Sequence, residues 1–148
     1  MNVEEIIRTE QSIPLSKRTI IHFMLVNNKI NEEIYLALKP FDVSLQQFNV
    51  LRILRGQQGH PANLSTLNER MVTKMSNTTR LVDKLLTKGY VTRKTCPSNR
   101  RKVEIGITKK GDEELKKMDL AMDIAEKKIL RNLDQKELEQ LNGLFNKF

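Results

Sequence analysis

Residues 76–108 read SNTTRLVDKLLTKGYVTRKTCPSNRRKVEIGIT. Thr78, Leu81, Val82 and Leu85 fall at i, i+3, i+4 and i+7, so they share one face of a helix expected over Met75–Lys88. Gly89 is the residue type suited to a left-handed cap after its last turn. The opposite side offers Ser76, Asn77, Thr79, Arg80, Asp83, Lys84 and Lys88. Directly afterwards Val91, Arg93 and Thr95 alternate with their neighbours, as do Val103, Ile105 and Ile107. Two period-two runs around a polar turn describe a β-hairpin. Its tip is expected to carry Arg100, Arg101 and Lys102, with Pro97 fixing the approach. A polar-faced helix followed at once by a basic hairpin has the order of a recognition helix and a wing, which together can hold a duplex by two grooves.

Upstream, Leu64, Leu67 and Met71 mark a short helix, and Thr73-Lys74-Met75 a tight turn, which gives helix-turn-helix spacing. Ser44-Leu45-Gln46-Gln47 is a capping box opening a helix with Leu45, Phe48, Leu51 and Leu54 on one face and Gly56 as its stop. Before it, a polar arm leads into a long helix from Pro14 to about Lys39, ended by Pro40 because the residue before proline avoids helical geometry. Downstream, Thr108 caps a helix to about Asn132, striped by Leu115, Met118, Met122, Ala125 and Ile129. Asp134-Gln135-Lys136-Glu137 forms a second capping box ahead of Leu138, Leu141, Leu144, Phe145 and Phe148. So much apolar surface in the last helix requires a cover, and a partner subunit supplies one as readily as an internal core.

The 148 residues suffice for one domain with a real core and carry a net charge of +8. Between residues 44 and 108 twelve Lys or Arg face three acids, so the excess is concentrated there. A basic centre between near-neutral flanks points to one polyanion-binding module. Ordinary solvated lysines would give the same count. No run of 18 apolar residues exists, which excludes a membrane-spanning helix, and the acidic start lacks a secretory profile. The single Cys96 allows neither an internal disulfide nor a zinc cluster, so a reducing, cytoplasmic setting is expected.

Asn pairs bidentately with adenine and Arg with guanine in the major groove, which assigns base contact chiefly to Asn77 and Arg80. Ser76, Thr79 and Lys84 suit phosphate oxygens, which need only a donor at the groove edge. Arg100, Arg101 and Lys102 suit a narrow, strongly negative minor groove. The plain alternatives are an amphipathic helix whose polar side faces water, and a solvated turn. His22 and His60 stand far apart in sequence without clustered acids or thiols, so no metal site is expected. No nucleophile–base pairing or phosphate-cradling glycine loop occurs, so neither an enzyme nor a cofactor is expected.

From Ser44 to Gly111 the chain resembles the multiple-antibiotic-resistance (MarR) regulators. The matching pieces are Leu45-x-Gln47-Phe48-x-Val50-Leu51, Thr79-Arg80-Leu81-Val82-Asp83-Lys84-Leu85, Lys88-Gly89-Tyr90-Val91-x-Arg93, Pro97-x-Asn99-Arg100-Arg101 and Ile107-Thr108-x-x-Gly111. The resemblance implies a mainly α fold with a small β-hairpin wing. Within a single domain (1–148), a winged helix-turn-helix core at 44–108 would be flanked by dimerisation helices at 14–39 and 109–148. Leu138, Leu141, Leu144 and Phe145 would then face a twin subunit. It further implies a homodimer on a pseudo-palindromic site in double-stranded DNA, most often a repressor released by a small molecule, a metal or an oxidant. An effector pocket lined by His22, Tyr35 and Phe48 is an expectation of the same kind, beside the plainer reading of each as a core or surface residue.

Two departures stand out. Asn99 replaces the acid usual in the family's wing, which removes a charge-assisted brace to the neighbouring arginine. Oxidant-sensing members usually carry their cysteine in the first helix; here the cysteine is Cys96, beside Arg93 and Lys94, which would favour its thiolate. The competing function is an adaptor that keeps the fold and turns its basic face to an acidic protein or to RNA.

Overall fold

Side-chain acceptors placed just before several helices satisfy the N–H groups that a first turn leaves free. The computed structural model describes residues 1–72, 77–96 and 99–148, with the backbone alone at 96 and 99–102. In chain order the elements are α1 (Val3–Ile7), α2 (Leu15–Leu38), a 3-10 turn (Lys39–Phe41), α3 (Leu45–Gly56), α4 (Leu64–Arg70), α5 (Thr78–Thr87), β1 (Val91–Cys96), β2 (Asn99–Ile107), α6 (Lys109–Leu130) and α7 (Gln135–Phe145). The expected capping boxes are present at Ser44/Gln47 and Asp134/Glu137. Asn63 caps α4 through its Oδ1, which accepts from Thr66 N at 2.8 Å. Thr108 Oγ1 accepts from Gly111 N at 2.9 Å and so opens α6.

The chain divides into two units, Met1–Ile34 with Ala125–Phe148, and Tyr35–Ile124. In the middle unit Phe48, Leu51 and Leu54 of α3, Leu67 of α4, Val82 and Leu85 of α5, Ile105 of β2, and Leu115 and Met118 of α6 are fully buried. Burial of side chains this large is the main favourable term for the fold. Strands β1 and β2 pair antiparallel with Val91 opposite Ile107 and Arg93 opposite Ile105. On its far side β2 meets Ala62, whose N–H donates to Ile105 O at 2.9 Å and whose carbonyl accepts from Ile105 N at 2.7 Å. The hairpin is thereby fixed to the loop after α3.

The link from α5 to β1 is a Schellman closure. Gly89 takes φ +72°, its N–H donates to Leu86 O at 2.9 Å, and Tyr90 N donates to Leu85 O at 3.0 Å. Tyr90 and Leu85 are both buried, the apolar contact that accompanies this motif. The Tyr90 carbonyl also sets how closely α6 approaches: a Cβ added at Gly111 would lie 2.1 Å from it. Thr108 donates from its N–H to the same carbonyl at 3.0 Å and from its hydroxyl to Gly89 O at 2.8 Å. One glycine supplies the turn and another the space.

The terminal unit corrects one expectation, since the polar arm contains a helix. Asn2 caps α1 by accepting from Glu4 N at 3.1 Å, and Val3 is completely buried. Glu4 accepts from Arg18 Nε at 2.8 Å and Nη2 at 3.2 Å, a bidentate pair that holds its carboxyl below the usual range. Lys128 pairs with Glu33 at 2.7 Å. Phe23 lies 6.0 Å from Phe145 and 5.8 Å from Phe148, ring centre to ring centre. Leu138 and Leu141 are half-buried, whereas Leu144, Phe145 and Phe148 are exposed by 55%, 46% and 94%.

Candidate nucleic-acid interface

Helix α5 presents two chemically opposite sides. Thr78, Val82 and Leu85 are buried and Leu81 is half-buried, which matches the inward face read from spacing. Thr78 uses its hydroxyl on Asn68 Oδ1, tying the first turn of α5 to α4. On the outward side Asn77, Thr79, Arg80, Asp83 and Lys84 are exposed. The described helix begins at Thr78, with Asn77 as its N-cap residue, whose side chain makes no capping bond. The expected start at Met75, and Ser76 with it, lie outside the described residues.

Asp83 is not a free member of this face. Its Oδ1 accepts from Arg93 Nη1 on β1 at 2.9 Å. Lys88, at the C-cap, donates from Nζ to Asp42 Oδ2 at 2.7 Å, which holds the Asp42 carboxyl below its usual range. Its carbonyl accepts from Lys110 Nζ at 2.9 Å. Both charged contacts tie α5 to neighbouring segments, leaving Arg80 and Lys84 as its outward cations without a carboxylate partner among the described residues.

Three hollows border this region. One, about 310 Å³, is lined by Ser44, Gln47, Asn77, Arg80, Leu81 and Lys84. A second, about 270 Å³, lies between Asn49, Arg52, Ile53, Arg70 and Val72, with the Arg52 guanidinium 5.6 Å from the Phe48 ring centre. The third, about 540 Å³, is lined by Tyr35, Lys39, Asp42, Val43, Ser44, Gln47, Lys84, Thr87 and Lys88. In the sequence Arg52 and Arg70 register only as charge. Their convergence depends on the packing of α3 against α4, which leaves no local signal.

In the hairpin the basic run is placed differently from the expectation. Arg100, Arg101 and Lys102 belong to β2, at a slip in the ladder: Thr95 pairs with Val103 but Cys96 with Asn99. Between these two pairs β2 holds three residues for which β1 has no counterpart. The side chains of Cys96 and 99–102, and all of Pro97, lie outside the described residues. Of the neighbours credited with favouring the Cys96 thiolate, Arg93 is engaged by Asp83.

The expected effector residues fall in different units. Phe48 is 1% exposed in the core of the middle unit. His22 belongs to the terminal unit, its Nε2 lying 3.2 Å from the Met1 carbonyl oxygen. Tyr35 lines the 540 Å³ hollow.

Residues 43–103 match the MarR family model. Over 150 residues the chain is 25% identical to the HTH-type transcriptional regulator PapX of Escherichia coli, a match spanning 98% of this chain and 92% of that protein. These two likenesses support a MarR-family transcription regulator. A MarR-like transcription regulator from Bacillus cereus has a similar structure, with a TM-score of 0.79 at 25% identity over 90% of this chain and 96% of that one. A mutant of Escherichia coli MarR, solved in complex with operator DNA, gives 0.75 at 26% identity over 97% of this chain and 95% of that one. Likeness to these transcription regulators also supports the expectation that the chain is not an enzyme. No described helix is long and apolar enough to cross a membrane.

Proposed function

We propose that this chain is a MarR-family regulator, acting in the cytoplasm as a homodimer that reads a pseudo-palindromic operator in double-stranded DNA and represses transcription until a small molecule releases it. The observation that carries the reading is the exposed edge of α5, where Asn77, Thr79, Arg80 and Lys84 stand together with no carboxylate partner for either cation among the described residues. Asn77 and Arg80 have the donor and acceptor patterns that distinguish adenine and guanine, and Thr79 and Lys84 those that fit phosphate. Ser76, one residue earlier in sequence, and Arg100, Arg101 and Lys102 from the wing, complete the set proposed to meet the duplex. The relative solved with operator DNA supports the same use of the fold.

Winged helix-turn-helix function is assigned to residues 44–108, and pairing to the helices within 14–39 and 109–148. Two recognition helices must be held about 34–36 Å apart to reach successive major grooves. The exposed Leu144 and Phe145, beside the half-buried Leu138 and Leu141, supply an apolar surface for that pairing.

Selection of bound sites from random duplexes, followed by titration at several salt concentrations, tests the reading. Log affinity should fall against log salt with a slope of about −0.9 per phosphate contact, and the selected sites should be inverted repeats. Equal affinity for single-stranded RNA and for every duplex would favour the adaptor instead.

A further inference from the structure

We propose that the 540 Å³ cavity beside the end of α5 binds a small molecule carrying a phosphomonoester on a planar apolar body, and that this ligand draws Lys84 away from the duplex. The volume lies in the range of small-molecule sites. Its lining includes three ammonium groups, from Lys39, Lys84 and Lys88, against one carboxylate, Asp42. The surplus of two positive charges matches a dianion. Lysines are mobile point charges, suited to a tetrahedral phosphate; the planar carboxylate is the natural partner of an arginine fork, and the lining contains no arginine. Ser44 and Thr87 add hydroxyls.

The apolar part of the ligand has a place as well. Tyr35 and Val43 line the same cavity, and the Lys39 ammonium already stands 6.0 Å from the Tyr35 ring centre. Asp42 occupies the anion's position at present: its carboxylate holds Lys88 at 2.7 Å while its own side chain is 93% exposed. An entering phosphate therefore exchanges one anion for another at Lys88 and gains Lys39 and Lys84. Lys84 also lines the smaller hollow with Asn77 and Arg80, so a cation used in one is lost to the other.

The effect on DNA rests on the function proposed above, whereas the cavity stands on its own lining, and the experiment separates them. Phenyl phosphate is titrated calorimetrically into the full chain without DNA, and then into its complex with a selected duplex. Inorganic phosphate, benzoate and sodium chloride of matched ionic strength serve as comparisons. Phenyl phosphate should bind more tightly than each of these and lower duplex affinity beyond the matched salt. Lys39→Gln should leave duplex affinity unchanged without the probe and weaken phenyl phosphate about tenfold. Asp42→Asn removes the competing charge, and asparagine tolerates the left-handed backbone (φ 50°) found there, so the probe should bind about two- to fivefold more tightly.

Absent or benzoate-preferring binding, or equal binding by wild type and Lys39→Gln, would overturn the cavity assignment. Protein that binds a duplex but no phenyl phosphate loses the cavity and keeps the regulator reading. Protein that binds the probe but no duplex keeps the cavity and loses the competition.

Discussion

Asp83, on the outward side of α5, accepts a hydrogen bond from Arg93 on β1 at 2.9 Å. Helix and hairpin are thus joined at the surface by a charged pair, besides the turn at Gly89 and the buried Tyr90. Both partners are substantially exposed, so the pair contributes little to overall stability. Its proposed value is geometric, because it fixes the hairpin against the helix that reads bases. Asp83→Asn also removes a negative charge near DNA, which strengthens binding to any duplex. The expected outcome is therefore a reduced ratio of selected to scrambled duplex affinity, with the unfolding midpoint nearly unchanged. Anisotropy titrations with both duplexes measure that ratio, and an unaltered ratio would remove the geometric role.

Asn77 and Arg80 should behave differently from Lys84. Arg80→Ala should cost about 1–3 kcal/mol on the selected site and relax the preference at one base position. Lys84→Gln should weaken all duplexes alike and reduce the salt slope by about 1. Competition against single-base variants of the operator checks both. A uniform loss on Arg80→Ala would make it a phosphate contact.

Gly111→Ala tests the close approach of α6 to the Tyr90 carbonyl. A Cβ 2.1 Å from a backbone oxygen cannot be relieved by a rotamer change. The substitution should destabilise by about 3 kcal/mol in urea unfolding. Gly56→Ala, where nothing lies within 4 Å of the added carbon, should be neutral or slightly stabilising. Similar losses at both positions would contradict this packing account.

The Glu4–Arg18 pair gives a pH dependence with a definite sign. The Arg18 hydrogen bond lowers the Glu4 pKa in the folded chain, and Arg18 itself is held more firmly protonated. A carboxylate with a depressed pKa stabilises above its unfolded pKa, and that contribution is lost as pH falls through the folded value. The unfolding midpoint of Glu4→Gln should therefore lie below that of wild type near neutral pH and converge with it in acid. A gap independent of pH would rule out the ion pair as its source.

What the sequence revealed was local. The capping boxes at Ser44 and Asp134, the turn at Gly89 and the two alternating runs each follow from neighbouring residues, and each is present in the fold. Helix α1 was missed because five residues carry too little periodicity, although Val3 packs completely. Composition marks a polar turn without fixing the register, so it places Arg100 to Lys102 at the tip, whereas the run falls within β2. An apolar helical position such as Phe48 can face either a ligand or the core, and the packing of the middle unit places it in the core. The Asp42–Lys88 contact spans 46 residues and the Ala62–Ile105 bridge joins a loop to a strand, so neither left a pattern in one segment.

Sedimentation equilibrium of the chain with a selected inverted-repeat duplex in dilute buffer tests the central claim most directly. The account predicts two chains per duplex, a complex that dissociates as salt rises, and monomers without tight binding when Leu141 and Phe145 are both made polar. A single chain that sediments alone and leaves every duplex unbound at low salt would contradict it.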